Sequence, residues 1–135
     1  GAFTGISNTG AATSSININT NRIGNINGGA LSFTTASSGA ITGISNNAGT
    51  ATTTVNINGN SMDGFSVVSS GVFTGIINAG ANTGIAININ SNQIGTVTGN
   101  VITYSAANST AITGISNTGG ASTCALSIQS NDSRG

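Results

Sequence analysis

Three short strings recur along this chain at matching intervals, and this internal repetition constrains the fold more than any other feature. The first string reads Thr-Gly-Ile-Ser-Asn, with Ile in place of Ser in its third copy. Its copies are spaced by 38, 32 and 39 residues and begin at Thr4, Thr42, Thr74 and Thr113. The copies of a second string are spaced by 39, 32 and 39 residues and begin at Ile16, Val55, Ile87 and Leu126. Because the strings shift together, the chain is a repeat protein of about three and a half units.

Apolar and polar residues alternate within each string, which indicates a β-strand with one buried face. Stacking the units in register should bring equivalent residues together in columns. We expect one inward column to contain Ile16, Val55, Ile87 and Leu126, and a second to contain Ile18, Ile57, Ile89 and Ile128. Aliphatic columns joined by polar corners predict an all-β fold, a parallel β-solenoid with coils of 32–39 residues. Residues 1–135 then form a single solenoid segment.

The polar positions between the apolar ones are the candidate surface-contact residues, because they should point outward. Two expected columns consist of asparagine: Asn17, Asn56 and Asn88, and then Asn19, Asn58 and Asn90. A third expected column consists of Thr4, Thr42, Thr74 and Thr113. A further Asn follows each second string and predicts a corner ladder, in which each amide bonds the amide of the next unit and the turn backbone. The predicted corner ladder consists of Asn21, Asn60, Asn92 and Asn131.

The shape of one coil follows from a third string, whose copies begin at Leu31, Phe65 and Ile102. Three strands per unit predict a three-sided coil. The second unit lacks roughly seven residues before Phe65, and a loss at a corner leaves every later side chain on its own face. A weak sequence similarity between the two halves of one unit leaves a coil of about nineteen residues as an alternative. We favour the long coil because the short second unit would otherwise contain a rung of only eleven residues.

The composition excludes several classes of function. The chain has no His or Lys, and its charged residues are Arg22, Asp63, Asp132 and Arg134. Two arginines cannot neutralise a nucleic-acid backbone, and no apolar run is long enough for direct membrane insertion. Acid–base catalysis has almost no candidate residues, so we expect no enzyme and no cofactor. Cys124 has no histidine to activate it and is expected to be a buried small thiol.

The strings at residues 15–21 and 40–46, Ser-Ile-Asn-Ile-Asn-Thr-Asn and Ala-Ile-Thr-Gly-Ile-Ser-Asn, resemble a known family. They are similar to the β-strand-repeat arrays of large secreted cell-surface adhesins of Bacteroidetes-type bacteria, and the resemblance covers nearly the whole chain. It implies a right-handed parallel β-helix, type IX secretion, and a role in surface adhesion or gliding motility.

The expected function is therefore a structural or adhesive module, a stalk or adhesin scaffold, of a secreted cell-surface protein. Neither end shows a capping unit, which predicts either a longer repeat array or copies that stack end to end. The first alternative function is accordingly a self-assembling extracellular filament subunit. The second is an ice- or glycan-binding solenoid that uses the outward Asn and Thr columns. The expected partners are neighbouring repeats or other copies, with surface polysaccharide as a further partner.

Overall fold

The computed structural model describes residues 1–24, 31–80, 85–95, 102–104 and 110–134, and these residues are all-β. The described strands of the first coil are β1 (Phe3–Asn8), β2 (Ser15–Asn17), β3 (Arg22–Gly24) and β4 (Leu31–Ser37). Those of the second are β5 (Ile41–Asn46), β6 (Thr54–Asn56), β7 (Ser61–Asp63) and β8 (Phe65–Ser69). Those of the third are β9 (Phe73–Asn78), β10 (Ala86–Asn88), β11 (Gln93–Ile94) and β12 (Thr103–Tyr104). The fourth contains β13 (Ile112–Asn117), β14 (Ala125–Ser127) and β15 (Asp132–Ser133).

Equivalent strands of successive coils pair in parallel and form four sheets. Sheet A has the order β1-β5-β9-β13, sheet B the order β2-β6-β10-β14, sheet C the order β3-β7-β11-β15, and sheet D the order β4-β8-β12. In sheet A, Phe3 pairs with Ile41, Ile41 with Phe73, and Phe73 with Ile112, so one sequence repeat is one coil. The predicted parallel β-solenoid with coils of 32–39 residues is confirmed. Its right-handed sense stays a prediction.

The prediction of three strands per coil was wrong, because each of the first three coils contains four described strands. The missed strands are those of sheet C, which are two or three residues long. Each of the first three contributes one buried apolar side chain, from Ile23, Met62 and Ile94 respectively. A strand with one apolar residue shows no alternation of apolar and polar positions, so no period of two marks it in the sequence.

The short second coil has a tight corner between sheets C and D. Gly64 alone separates β7 from β8, and its φ of +68° lies in the left-handed region that glycine adopts without strain. Downstream, Phe73 still pairs with Ile41 and Ile87 still pairs with Val55. The residues are therefore lost at a corner, as predicted, and the register of the strands is preserved.

The core lies between the sheets and is built from the predicted aliphatic columns. Val55, Ile57, Ile87 and Ile89 are completely buried in the second and third coils. A row of aromatic rings adds edge-to-face contacts, in which the centroids of neighbouring rings lie 5.3–6.5 Å apart. This row consists of Phe33, Phe3, Phe65, Phe73 and Tyr104.

The glycine of the Thr-Gly-Ile-Ser-Asn string lets sheets A and C pack closely. A Cβ atom added to Gly43 would lie 2.3 Å from Sδ of Met62, and one added to Gly75 would lie 2.6 Å from Cδ1 of Ile94. The first three strands of sheet C thus each place an apolar side chain over a glycine of sheet A. The recurrence of glycine at this position follows from the packing of the two sheets.

Candidate interaction surfaces

The corner between sheets B and C contains the first candidate set, the corner ladder. It consists of Asn21, Asn60, Asn92 and Asn131. At each step, the backbone N–H and Nδ2 of one asparagine donate to Oδ1 of the asparagine in the next coil, at 2.9–3.0 Å. Nδ2 of Asn60 also donates to the Ile18 carbonyl at 2.7 Å, and that of Asn92 to the Ile57 carbonyl at 2.8 Å. Asn60 and Asn92 are buried, so the ladder satisfies polar groups that water does not reach.

The residue before each ladder asparagine has a left-handed backbone. Its φ angles are 56°, 63°, 56° and 54° at Thr20, Gly59, Ser91 and Ser130. A left-handed conformation costs a residue other than glycine about 1–2 kcal/mol. The hydrogen bonds that the following asparagine makes offset this cost, so the ladder holds the chain in a sharp turn between two sheets.

The two outer asparagine columns form ladders on the exposed side of sheet B. In the first, Nδ2 of Asn88 donates to Oδ1 of Asn56 at 2.8 Å, and Nδ2 of Asn56 donates to Oδ1 of Asn17 at 2.9 Å. In the second, Oδ1 of one side chain accepts the backbone N–H of the equivalent residue in the next coil, at 2.9 Å. This second ladder consists of Asn19, Asn58, Asn90 and Gln129. Both ladders remain partly open to solvent.

The threonine column differs from its prediction, because its interior members are not surface residues. Thr42 and Thr74 expose 8% and 7% of their area, whereas Thr4, in the end strand, is exposed and Thr113 is half-buried. The four residues are paired in register along sheet A. Strands in a sheet lie only about 4.8 Å apart, so an interior threonine with an identical neighbour on each side is covered by them. The column therefore offers no open threonine array for contact.

A fourth ladder, which the sequence reasoning missed, lies at the end of sheet A. Nδ2 of each asparagine donates to Oδ1 of the next at 2.7–2.9 Å, and the interior members Asn46 and Asn78 are completely buried. The ladder consists of Asn8, Asn46, Asn78 and Asn117. Its signal was present in the sequence, since each copy of the Thr-Gly-Ile-Ser-Asn string ends in this residue.

The charged residues form one pair near each end of the solenoid. Oδ2 of the buried Asp63 accepts from Nη2 of Arg22 at 3.3 Å and from the Ser61 hydroxyl at 2.9 Å. Within the described residues, Oδ1 of Asp63 has no hydrogen-bond partner. At the other end, Nε of Arg134 donates to Oδ1 of Asp132 at 2.6 Å on the surface. Each carboxylate is thus paired with an arginine of its own region.

Two further reactive groups belong to the half-buried residues Tyr104 and Cys124. Burial raises the pKa of the Tyr104 phenol above its ordinary value, and its buried hydroxyl has no hydrogen-bond partner in the described part of the chain. Cys124 is half-buried, against the expectation of a buried thiol, and its thiol lies 3.6 Å from the Ala125 carbonyl oxygen. Among the residues that the structure describes, no group of three or more His, Cys, Asp or Glu side chains could hold a metal ion, and no helix could cross a membrane.

Each end of the solenoid contains an open cavity. At the end formed by the first coil the cavity has a volume of about 440 Å³, and its lining includes Phe3, Ile6 and Leu31. At the end formed by the fourth coil the volume is about 430 Å³, and the lining includes Ile112 and Tyr104. In sheets A, B and C, the strands of the first and fourth coils also have one edge that pairs with no other described strand. Both ends are therefore suited to accept further parallel strands.

No protein-family model, curated protein or solved structure matches this chain.

Proposed function

We propose that the chain is a structural and adhesive repeat module, serving as a stalk or adhesin scaffold of a secreted bacterial cell-surface protein. The observation that supports this most is the set of four side-chain ladders that run from coil to coil beside the four parallel sheets. Every coil is thus bonded to the next by side chains as well as by backbone. Separating or bending coils breaks many hydrogen bonds at once, which suits a stiff extended element. The proposed role is non-catalytic and needs no cofactor.

The outer surface supports a role outside the cell. Its ladders present uncharged amides, which hydrogen-bond readily to hydroxyl groups, so surface polysaccharide is the proposed external partner. The resemblance to secreted repeat arrays points to the same location and to type IX secretion with a role in adhesion or gliding. Neighbouring coils, from the same polypeptide or from another copy, are the proposed internal partners.

A second candidate function is a filament subunit, and the two open ends favour it. Binding to ice is supported less well, because Thr42 and Thr74 are buried and the threonine column cannot present a regular array. Glycan binding would rest on the outer asparagine ladders alone.

Locating the polypeptide in the cells that make it tests the surface scaffold. Antibodies against the purified chain should stain intact cells as strongly as permeabilised cells, and the surface-released polypeptide should be far larger than 13.0 kDa. Elastase should be used for peptide mapping, because trypsin can cut only after Arg22 and Arg134. Staining that requires permeabilisation would contradict the proposal. A surface polypeptide of about 13.0 kDa would instead favour the filament subunit.

A further inference from the structure

The two ends of the solenoid carry complementary groups at equivalent positions. The residue columns are continuous from the first coil to the fourth, so Phe3 lies in the column that ends at Ile112, and Ile16 lies in the column that ends at Leu126. A first coil placed on a fourth coil would therefore meet the same register that the coils share within the chain. We call the outer edges of β1, β2 and β3 the first-coil face, and those of β13, β14 and β15 the fourth-coil face.

The fourth-coil face exposes three large apolar side chains. Ile112, Leu126 and Ile128 expose 63%, 56% and 43% of their area, and all three lie at column ends. In the second coil, their equivalents Ile41, Val55 and Ile57 are buried under the next coil. The fourth-coil face thus has the side chains of an interior coil without the coil that would cover them.

Charge on the two faces is opposite in the same column of sheet C. The column runs from Arg22 through Ser61 and Gln93 to Asp132. Stacking a first coil on a fourth coil would place Arg22 beside Asp132 in this column, on strands about 4.8 Å apart. The side chains of Arg22 and Asp132 are 50% and 39% exposed, so each can make this contact in addition to its pair with Asp63 or Arg134.

The corner ladder has donors at one face and an acceptor at the other. Within the chain, the N–H and Nδ2 of each asparagine donate to Oδ1 in the following coil. In the described residues, Oδ1 of Asn21 receives no donor, while Asn131 uses its Nδ2 only for the Ile89 carbonyl. A first coil stacked on a fourth would continue the ladder from Asn131 to Asn21. Two identical faces would instead oppose acceptor to acceptor and Arg22 to Arg22.

We propose that the fourth-coil face of one copy binds the first-coil face of a second copy in register. Sheets A, B and C then continue strand on strand, the exposed isoleucines and Leu126 become buried, and Arg22 pairs with Asp132 across the contact. Because the faces differ, the contact does not close on itself and generates an open-ended filament. This inference specifies the partner and register of the filament candidate above, and the surface-scaffold function does not depend on it.

Sedimentation of the purified 135-residue chain over a range of concentrations tests the association. The mean mass should rise continuously with concentration through multiples of 13.0 kDa, without a plateau at the dimer. Leu126→Lys, which puts a charge on the fourth-coil face, should weaken association at least tenfold. The matched control is Ile85→Lys, because Ile85 is 62% exposed but lies in the third coil, and this variant should associate like the parent. Far-UV circular dichroism verifies that each variant is folded.

Mixing two blocked variants tests the head-to-tail direction. Leu126→Lys blocks the fourth-coil face, and Ile6→Lys blocks the first-coil face. Each alone should be monomeric at concentrations at which the parent associates, and their mixture should form a one-to-one dimer through the two intact faces. If Ile6→Lys is unfolded, Asn21→Ala tests the first-coil face on its own: it removes the Oδ1 acceptor for Asn131 and should weaken association at least threefold relative to the parent.

Three results would overturn the proposal. The first is a parent chain that stays monomeric up to about 1 mM. The second is equal association of the Leu126→Lys and Ile85→Lys variants. The third is dimerisation of either blocked variant with itself, because that requires contact between identical faces. A folded monomer would leave the surface scaffold standing, since the internal ladders do not require a second copy.

Discussion

The interior coils and the last coil are made from the same strings yet differ completely in burial. Ile57 and Ile89 of the second and third coils are 0% exposed, whereas Ile128, at the same position of the fourth coil, is 43% exposed. In the neighbouring column, Val55 and Ile87 are buried and Leu126 is exposed. The residue types are alike, so the difference lies in what surrounds each side chain. In a solenoid, a side chain becomes part of the core only when a neighbouring coil covers it.

The first coil shows that a bare edge alone does not expose the core. Ile16 lies in β2, the end strand of sheet B, and Ile18 directly follows that strand. The two residues are nevertheless only 5% and 7% exposed. The first coil has all four strands, including β4 with Leu31, so its inward side chains also pack across the coil. The described part of the fourth coil has three strands, and its core is open on the side of sheet D. Burial therefore needs both a neighbouring coil and a closed perimeter.

Substituting aspartate at an interior position and at the equivalent terminal position should give the largest difference in the free energy of unfolding. Ile57→Asp buries a charge without a partner and should destabilise the chain by more than about 4 kcal/mol, which is enough to abolish folding. Ile128→Asp should cost about 1 kcal/mol because water reaches that site. Far-UV circular dichroism with urea titration measures both, at concentrations where the chain is monomeric. Equal tolerance of the two substitutions would contradict the dependence of burial on the neighbouring coil.

The corner ladder extends the same comparison to hydrogen bonds. Asn92→Ala removes the Oδ1 acceptor for two donors of Asn60 and leaves the Ile57 carbonyl without its donor, so it should cost about 3 kcal/mol. Asn21→Ala removes a single donor to Oδ1 of Asn60, which keeps its bond from the Asn21 backbone, and should cost about 1 kcal/mol. Urea midpoints of the two variants measure the difference. Similar midpoints would mean that the ladder follows the fold without stabilising it.

The repeat spacing predicted those parts of the fold in which equivalent residues of successive coils stack on one another. Coil length, parallel pairing and the aliphatic columns followed from three strings, because a side-chain period of two and a fixed repeat leave one register. The strands of sheet C did not follow, since a segment such as Arg22-Ile23-Gly24 has one apolar residue and no alternation. The burial of Thr42 could not be read from alternation either, because alternation gives the face of a sheet but not how closely identical neighbours cover a small side chain.

The candidate interaction surfaces could be predicted from the sequence to a similar extent. The corner ladder was visible because Asn60 and its equivalents recur outside any strand, where packing alone does not demand an amide. The ladder that contains Asn46 was overlooked because its asparagine ends a strand and was counted with the string. The complementarity of Arg22 and Asp132 required the structure, since only the strand pairing of sheet C shows that they share a column.

The first outer asparagine ladder, which contains Asn17 and Asn56, should show the smallest difference in stability between substitutions in an interior and a terminal coil. Asn56 donates to Asn17 and accepts from Asn88, so Asn56→Asp keeps the acceptor but loses the donor and turns a carboxylate oxygen toward Oδ1 of Asn17. Asn17 is exposed and its amide can rotate to donate instead, so the cost should stay below about 1 kcal/mol. Asn17→Asp keeps its one bond within this ladder, the acceptor role for Asn56, and should be nearly neutral. Urea midpoints resolve this difference. A loss at Asn56 as large as that at Ile57 would show that the outer ladder holds adjacent coils together as strongly as the aliphatic core does.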